Sequence, residues 1–442
     1  MNMDFANIFV ILFFAGTLFD LLLNLILERL DYGSRKKNGM EISEELKPFI
    51  TREKLELINK YEDTKYALWV PRCIFNTVVQ LSLILHGFYP YVFNLLWNTF
   101  SNIFVTAFLF QLIFSWIFSY IVDLPFKIIA ERIEKHFGFS NMTVKLLVLD
   151  TVKSLILEAF VIGLLSCVEC LFILYCNSWW WLLLGAFYIV FSLLANVIYP
   201  VFIAPLFNKF TPVDGELKEK LESLLSRTGF KADGVFTMDA SRRSNHSNAY
   251  FTGIGRKKRI VLYDTLIKQL DNDEIEAVLA HELGHYHKHH IIKRMIVMIP
   301  VSFVVLYIIS FIIRFPSLYE GFGFNIVCEI NSQGYEAAVP QIQFLGLWLL
   351  GIIGEGYTSL LSLAANFFSR RNEYEADSYA VSLIGSAKPL TSALIKLNKE
   401  NLSEIKPDKV YAAFNYSHPP LMGRIENAQK VEKLNKSNKI ES

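Results

Sequence analysis

Seven long apolar runs organise the chain, at about residues 5–27, 68–97, 102–126, 152–175, 179–203, 291–313 and 342–367. Each is long enough to cross a bilayer, which takes roughly 20 residues. Stretches such as FVILFFAGTLFDLLLNLIL and WWWLLLGAFYIVFSLLANVIY are too long and too apolar for core helices of a soluble protein. The pattern predicts seven transmembrane helices. The first reads as a true span rather than a signal peptide, because MNMD supplies no basic n-region and no small-residue cleavage site follows. Two polar blocks, 207–290 and 368–442, interrupt and follow the spans. In the first, GELKEKLESLLSR has apolar residues at helical spacing. VFTMD, NAYFTG and RIVLYD predict short strands. DNDEIEAVLAHELGHYHKHH predicts a helix with Asp271 as N-cap and Glu274 as its capping-box partner, running on into the sixth span. SRRNEYEADSYAVSLIG in the second block predicts another helix.

Charge adds a topology. The net charge of +1 gives no footprint for nucleic acid, but the basic residues are unevenly placed. Nine Lys and Arg follow the first run, between Arg29 and Lys65, and the loops after the third and fifth runs are basic too. The connections after the second, fourth and sixth runs carry almost none. By the positive-inside rule the N-terminus lies outside, and residues 207–290 and the C-terminal tail lie on the cytoplasmic side. Cys167 and Cys170 form a C-x-x-C inside the fourth run and read as small packing residues.

The candidate chemistry sits in HELGHYHKHH, residues 281–290, which holds five of the nine histidines. His281-Glu282-x-x-His285 fits the H-E-x-x-H pattern. Residues i and i+4 share a helical face with Cβ atoms about 5–6 Å apart, so two imidazoles there can converge on one ion. Glu282 is placed to reach a water at that ion. Gly284 inside the helix suggests close approach of another backbone. His287, His289 and His290 read as polar residues at headgroup level. A third ligand must come from elsewhere. Glu-Tyr-Glu-Ala-Asp, 373–377, offers Glu373 as a ligand and Asp377, four residues on, to bond the outer nitrogen of a ligand histidine. Glu375 is expected to face away.

HELGH, SRRNEYEAD, ALIKLNKENL and YSHPPL, together with PLFNKFTPVDGELKEKLESL and SRRSNHSNAYFTG...RIVLYDTL, resemble the type I CAAX prenyl proteases, integral-membrane zinc metalloproteases of the gluzincin type. The resemblance covers nearly the whole chain. It implies a mainly α, multi-pass fold of seven transmembrane helices enclosing a water-filled chamber, with a cytoplasmic-side zinc protease domain carrying a small β-sheet. The chamber would account for Glu158, Glu169 and Glu355 within the spans. The implied divisions are 1–206 for spans one to five, 207–290 for the edge strand and H-E-x-x-H helix, 291–367 for spans six and seven, and 368–442 for the C-terminal protease segment. It further implies one Zn²⁺ per chain, held by His281, His285 and Glu373. Glu282 would be general base and acid, Asp377 the partner behind a ligand, and His418 the support of the oxyanion. Asn248, Ala249 and Tyr250 would lie on the substrate-binding edge strand, with Arg424 supporting the same site as His418 and grouped with the substrate contacts.

The function so implied is hydrolysis of a peptide bond near the C-terminus of a farnesylated or geranylgeranylated C-a-a-X protein at the lipid bilayer, releasing the last three residues. The Lys-, Ile- and Asn-rich composition keeps a second reading open, a membrane quality-control metalloprotease acting on non-prenylated proteins. A transporter lacks any discontinuous-helix or inverted-repeat signal, and an inactive scaffold sits poorly with an intact H-E-x-x-H. The membrane expected is that of the endoplasmic reticulum in a eukaryote or the inner membrane in a bacterium.

Overall fold

The computed structural model describes residues 3–230, 232–252, 258–324, 328–330, 336–338 and 342–441. In lipid a spanning segment must pair its own backbone groups, so the apolar runs fold as helices. They form α1 (Ile8–Asn38), α2 (Arg52–Leu85), α3 (Phe88–Phe100), α4 (Ile103–Leu112), a π-helical segment (Ile113–Phe118), α5 (Ser119–His136), α6 (Val144–Tyr175), α7 (Trp180–Ile198) and α8 (Ala204–Phe207). Six helical runs are long and apolar enough to cross a membrane: Ile8–Asn38, Arg52–Leu85, Ile103–His136, Val144–Tyr175, Asn177–Phe207 and His290–Ile312. A seventh is a bent pair, described below. The protein is a multi-pass membrane protein whose outer faces carry exposed apolar side chains; Ile156 and Phe160 are each 67% exposed.

Two of the seven runs differ from single straight spans. The run 68–97 is two helices, broken at Gly87, whose φ of +63° no L side chain adopts easily. The run 342–367 is α14 (Gln343–Glu355) followed, after a 67° bend, by α15 (Thr358–Ile384). Gly356 sits against Gly16 at the bend, where an added Cβ would stand 2.4 Å from the Gly16 carbonyl carbon. The division expected at 367/368 therefore falls inside an unbroken helix that carries span residues directly into the SRRNEYEAD segment.

The bundle encloses a cavity of about 890 Å³ whose lining includes Asp20, Arg72, Asp123, Glu158 and Glu355. Arg72 clamps Asp123 through two bonds of 2.8 Å. Glu169 lies against a neighbouring cavity of about 240 Å³ and accepts from Gln111. Cys170 is buried and donates to the same Gln111, in keeping with a packing role. Polar groups at membrane depth are tolerated where they line water or one another, and this cavity gathers several of them.

The first polar block folds as β1 (Phe210–Pro212), α9 (Gly215–Arg227), β2 (Val235–Met238), β3 (Ala249–Thr252), β4 (Arg259–Tyr263), α10 (Asp264–Gln269) and α11 (Asn272–His287). The sheet order is β1-β2-β4-β3, with β2 and β4 parallel and the outer pairs antiparallel. β3 is therefore an edge strand. Leu217, Leu221 and Leu224 of α9 pack with Ile260 and Leu262 of β4 and with Ile275, Leu279 and Leu283 of α11. Then come α12 (His290–Ile312), α13 (Pro316–Glu320), the antiparallel pair β5 (Cys328–Ile330) and β6 (Glu336–Ala338), α14 and α15. The chain closes with α16 (Lys388–Glu400), α17 (Lys409–Asn415) and α18 (Leu421–Glu441). α11 does not run into α12 as expected. It ends at His287, and His289 takes a left-handed φ of +56° before α12 begins.

Candidate metal centre

α11 starts where its caps dictate. The Asp271 side chain accepts from Glu274 N (3.0 Å), and Glu274 accepts from Asp271 N (2.9 Å). The buried Glu274 is also bonded by Ser392 (2.6 Å) and Lys396 (2.7 Å) of α16, which anchors that end of the helix. Ala280 and Gly284 of α11 and Ala376 and Ala380 of α15 are buried together. A Cβ on Gly284 would lie 2.8 Å from the Ala376 Cα and 2.9 Å from its carbonyl oxygen. The absence of a side chain there lets the two backbones touch, as the sequence suggests.

That contact brings the two motifs together. The ligand atoms of His281, His285 and Glu373 lie within 4.8 Å of one another. The Nε2 atoms of the two histidines are 3.3 Å apart. Glu373 reaches His281 Nε2 through Oε2 at 3.4 Å and His285 Nε2 through Oε1 at 3.2 Å. A tetrahedral zinc ion with bonds of about 2.0–2.1 Å separates its ligand atoms by about 3.3 Å, so the spacing fits that ion. The donor set, two imidazoles and one carboxylate, fits as well. Glu373 Oε2 is buried and makes no hydrogen bond, leaving an acceptor turned toward the gap.

The outer nitrogens are held in turn. His281 Nδ1 is 2.8 Å from Asp377 Oδ1. Asp377 is fully buried and is gripped by Arg424 of α18 through Nε (2.9 Å) and Nη2 (2.7 Å). The carboxylate accepts a hydrogen bond from Nδ1–H, which keeps the proton on Nδ1 and leaves the Nε2 lone pair facing inward. Burial alone would push the His281 imidazole down; the Asp377 and Glu373 carboxylates overcome this and hold it up at about 9. A proton or a cation is therefore strongly favoured at this point. Glu282 is held above the usual carboxylate range by burial. His418 is 62% exposed on the rim, with Nε2 3.5 Å from Glu373 Oε1 and Nδ1 3.0 Å from Ser417 Oγ.

Two residues, His290 and Glu375, sit differently from expectation. His290 is buried, not at a headgroup surface: its Nδ1 is 3.0 Å from His285 Nδ1, and its Nε2 is 3.3 Å from Glu375 Oε2. The break at His289 makes this possible, since a continuous helix at 3.6 residues per turn would carry His290 off the His285 face. Glu375 consequently does not face away. Arg424, expected to support the site of His418 and grouped with the substrate contacts, lies beside the ligands: its guanidinium bonds Asp377, with Nη2 3.3 Å from His281 Nδ1. No sequence signal marks that fork, because Arg424 and Asp377 are 47 positions apart. Asn248 is exposed just ahead of β3, its side chain accepting from Ala249 N (2.8 Å), with Ala249 and Tyr250 on the strand itself.

Comparison with known proteins gives the family of this chain. The profile of peptidase family M48 matches residues 212–432, and that of the CAAX prenyl protease N-terminal region, five membrane helices, matches 31–209. CAAX prenyl protease 1 of Saccharomyces cerevisiae is 39% identical over 325 residues, 72% of this chain and 71% of its own. The CAAX prenyl protease 1 homolog of Dictyostelium discoideum is 35% identical, covering 90% of this chain and 92% of its own. The crystal structure of S. mikatae Ste24p matches with a TM-score of 0.83 at 32% identity, over 95% of this chain and 99% of that one.

Proposed function

The chain belongs to peptidase family M48, and we propose that it is a membrane-embedded zinc metalloendopeptidase that removes the last three residues of prenylated C-a-a-X proteins. The observation that carries this is the convergence of His281, His285 and Glu373 from α11 and α15, backed on both sides by hydrogen-bonded partners.

In this reading one zinc ion per chain is held by His281, His285 and Glu373. When bound, zinc supplies the Lewis acidity that polarises a carbonyl and makes water a nucleophile near neutral pH. Asp377 keeps His281 in the tautomer that turns Nε2 inward, and Arg424 keeps Asp377 in place. His290, leaning on Glu375, does the same service for His285. Glu282 takes the proton of the attacking water and returns it to the leaving amine. Its raised affinity for a proton suits both halves of that task. His418 donates to the oxyanion as the carbonyl becomes tetrahedral. The free edge of β3, at Ala249 and Tyr250 just after Asn248, pairs with the extended peptide by strand addition.

The protease domain is split in the sequence, 207–290 and 368–442 joining across the spans at 291–367, with 1–206 forming the rest of the membrane bundle. The alternation of basic loops puts the active site on the cytoplasmic side and the N-terminus outside. The relatives named above are eukaryotic, which supports the endoplasmic reticulum membrane over a bacterial one. Their names also favour a prenylated substrate over the quality-control reading.

The test is to incubate the purified enzyme with a farnesylated C-a-a-X peptide, the same peptide without lipid, and a non-prenylated membrane protein. The reading expects release of the intact C-terminal tripeptide from the farnesylated peptide, seen by mass spectrometry. Cleavage confined to the non-prenylated membrane protein would transfer the enzyme to quality control.

A further inference from the structure

Two of the stretches that carry the family resemblance, SRRSNHSNAYFTG and ALIKLNKENL, contribute no ligand to the metal centre. They meet at His246. Its Nε2 lies 3.2 Å from Glu134 Oε2 at the end of α5, and its Nδ1 lies 3.1 Å from Asn401 Oδ1 just after α16. The ring stacks on Phe139 at 4.0 Å, with 12° between the planes. Asn401 Oδ1 also accepts from Ser247 N (3.3 Å), which fixes the orientation of that amide. Both ring nitrogens of His246 therefore face oxygen acceptors, and the Glu134 carboxylate raises the affinity of the ring for a proton. Tyr61 Oη donates to Glu134 Oε1 at 2.6 Å and braces the carboxylate from α2.

The same short segment is pinned through its neighbours. Thr265 Oγ1 donates to the His246 carbonyl (2.9 Å), and Ser247 Oγ donates to Gln269 (2.6 Å). Asn245 is tied to Gly138, and Arg243 forks onto Asp150 at 2.7 and 3.1 Å. The ladder of β3 begins directly afterwards, with Tyr263 N donating to the Asn248 carbonyl at 3.0 Å and Ala249 opposite Leu262.

We propose that His246 is a positioning residue for peptide binding, which ties the lead-in of β3 to Glu134 and Asn401 and so fixes the register and height of the free strand edge against the metal centre. The proposal rests on the reading of β3 as the strand that pairs with substrate. β3 has four residues and, among the described residues, is paired on one side only, to β4. A slip of one residue would turn every side chain to the other face. The ladder alone is short for that task, and the clasp two residues upstream supplies the missing constraint. It also couples the strand to α5 and α2, so that the peptide edge and the membrane bundle hold one relative position. Asn401, the ninth residue of ALIKLNKENL, takes its place in the site by this route.

The test uses full-length, zinc-loaded protein and the variants His246→Ala, Asn401→Leu and Asn401→Asp. Amide hydrogen exchange over 249–252 is read beside kcat and KM for a farnesylated C-a-a-X peptide. His246→Ala and Asn401→Leu should exchange 249–252 about tenfold faster while the α11 amides stay protected. KM should rise about tenfold with kcat changed less than about threefold. Asn401→Asp should keep wild-type exchange and KM, because a carboxylate oxygen accepts the same two bonds. Unchanged exchange over 249–252 in His246→Ala, or a loss confined to kcat, would overturn the proposal. If the wild type leaves the peptide intact, the reading of the function fails and the exchange data alone decide the clasp. If His246→Ala does not fold, the two Asn401 variants make the same comparison.

Discussion

Gly284 and Ala376 touch backbone to backbone: a Cβ on Gly284 would come within 2.8 Å of the Ala376 Cα. The metal centre depends on that contact, because the ligands on α11 and the ligand on α15 converge only if the helices cross this closely. Gly284→Val is expected to push them apart and leave Glu373 out of reach of His281 and His285. Overpacking of this kind costs about 1–3 kcal/mol, so the protein should stay folded while losing its zinc. Metal analysis beside a melting curve checks this, and a Gly284→Val protein with full zinc would contradict it.

Asp377→Asn removes the negative charge behind His281 and leaves a single amide oxygen where His281 Nδ1 and the Arg424 fork now share two carboxylate oxygens. Zinc affinity should fall by about 10–100-fold, the range for partners behind a ligand. Competition with a chelator of known affinity gives the value. An unchanged affinity would show that the tautomer is set by something else.

His290→Ala tests the matching arrangement behind His285. It removes the ring 3.0 Å from His285 Nδ1 and leaves all three ligands in place. The expected result is a loss of zinc affinity of about tenfold or more, measured by the same competition. A headgroup-level histidine would give no change.

How much of this was legible in the sequence follows from the range of the contacts. The i, i+4 spacings of His281 with His285 and of Glu373 with Asp377 are local helix geometry, and both appear in place. The capping box at Asp271 and Glu274 is local too, and is formed as read. The place of His290 was not legible, because it turns on one left-handed residue, His289, at a helix break that apolar periodicity does not register. The same holds for Gly87, which splits the second run, and for the bend between Glu355 and Thr358. A hydropathy window sees composition and not direction. The forks of Arg424 on Asp377 and of His246 between Glu134 and Asn401 join residues 47 to 155 positions apart, and only the fold brings them together.

His418→Ala separates transition-state support from binding. The ring is exposed, with Nε2 3.5 Å from Glu373 Oε1 and Nδ1 3.0 Å from Ser417 Oγ, and it is not one of the three converging ligands. Loss of one oxyanion donor costs about 10²–10³ in kcat. KM and zinc content should stay near wild type. A rise confined to KM would assign His418 to substrate binding instead.

The most direct test of the account compares Glu282→Gln with Glu373→Gln, reading zinc per chain and tripeptide release from a farnesylated C-a-a-X peptide on the same samples. Glu282→Gln should keep one zinc and lose activity by about 10²–10⁴-fold, the range for a general acid–base group. Glu373→Gln should lose both. Substantial turnover by Glu282→Gln, or full zinc in Glu373→Gln, would contradict the assignment of base and ligand on which the account stands.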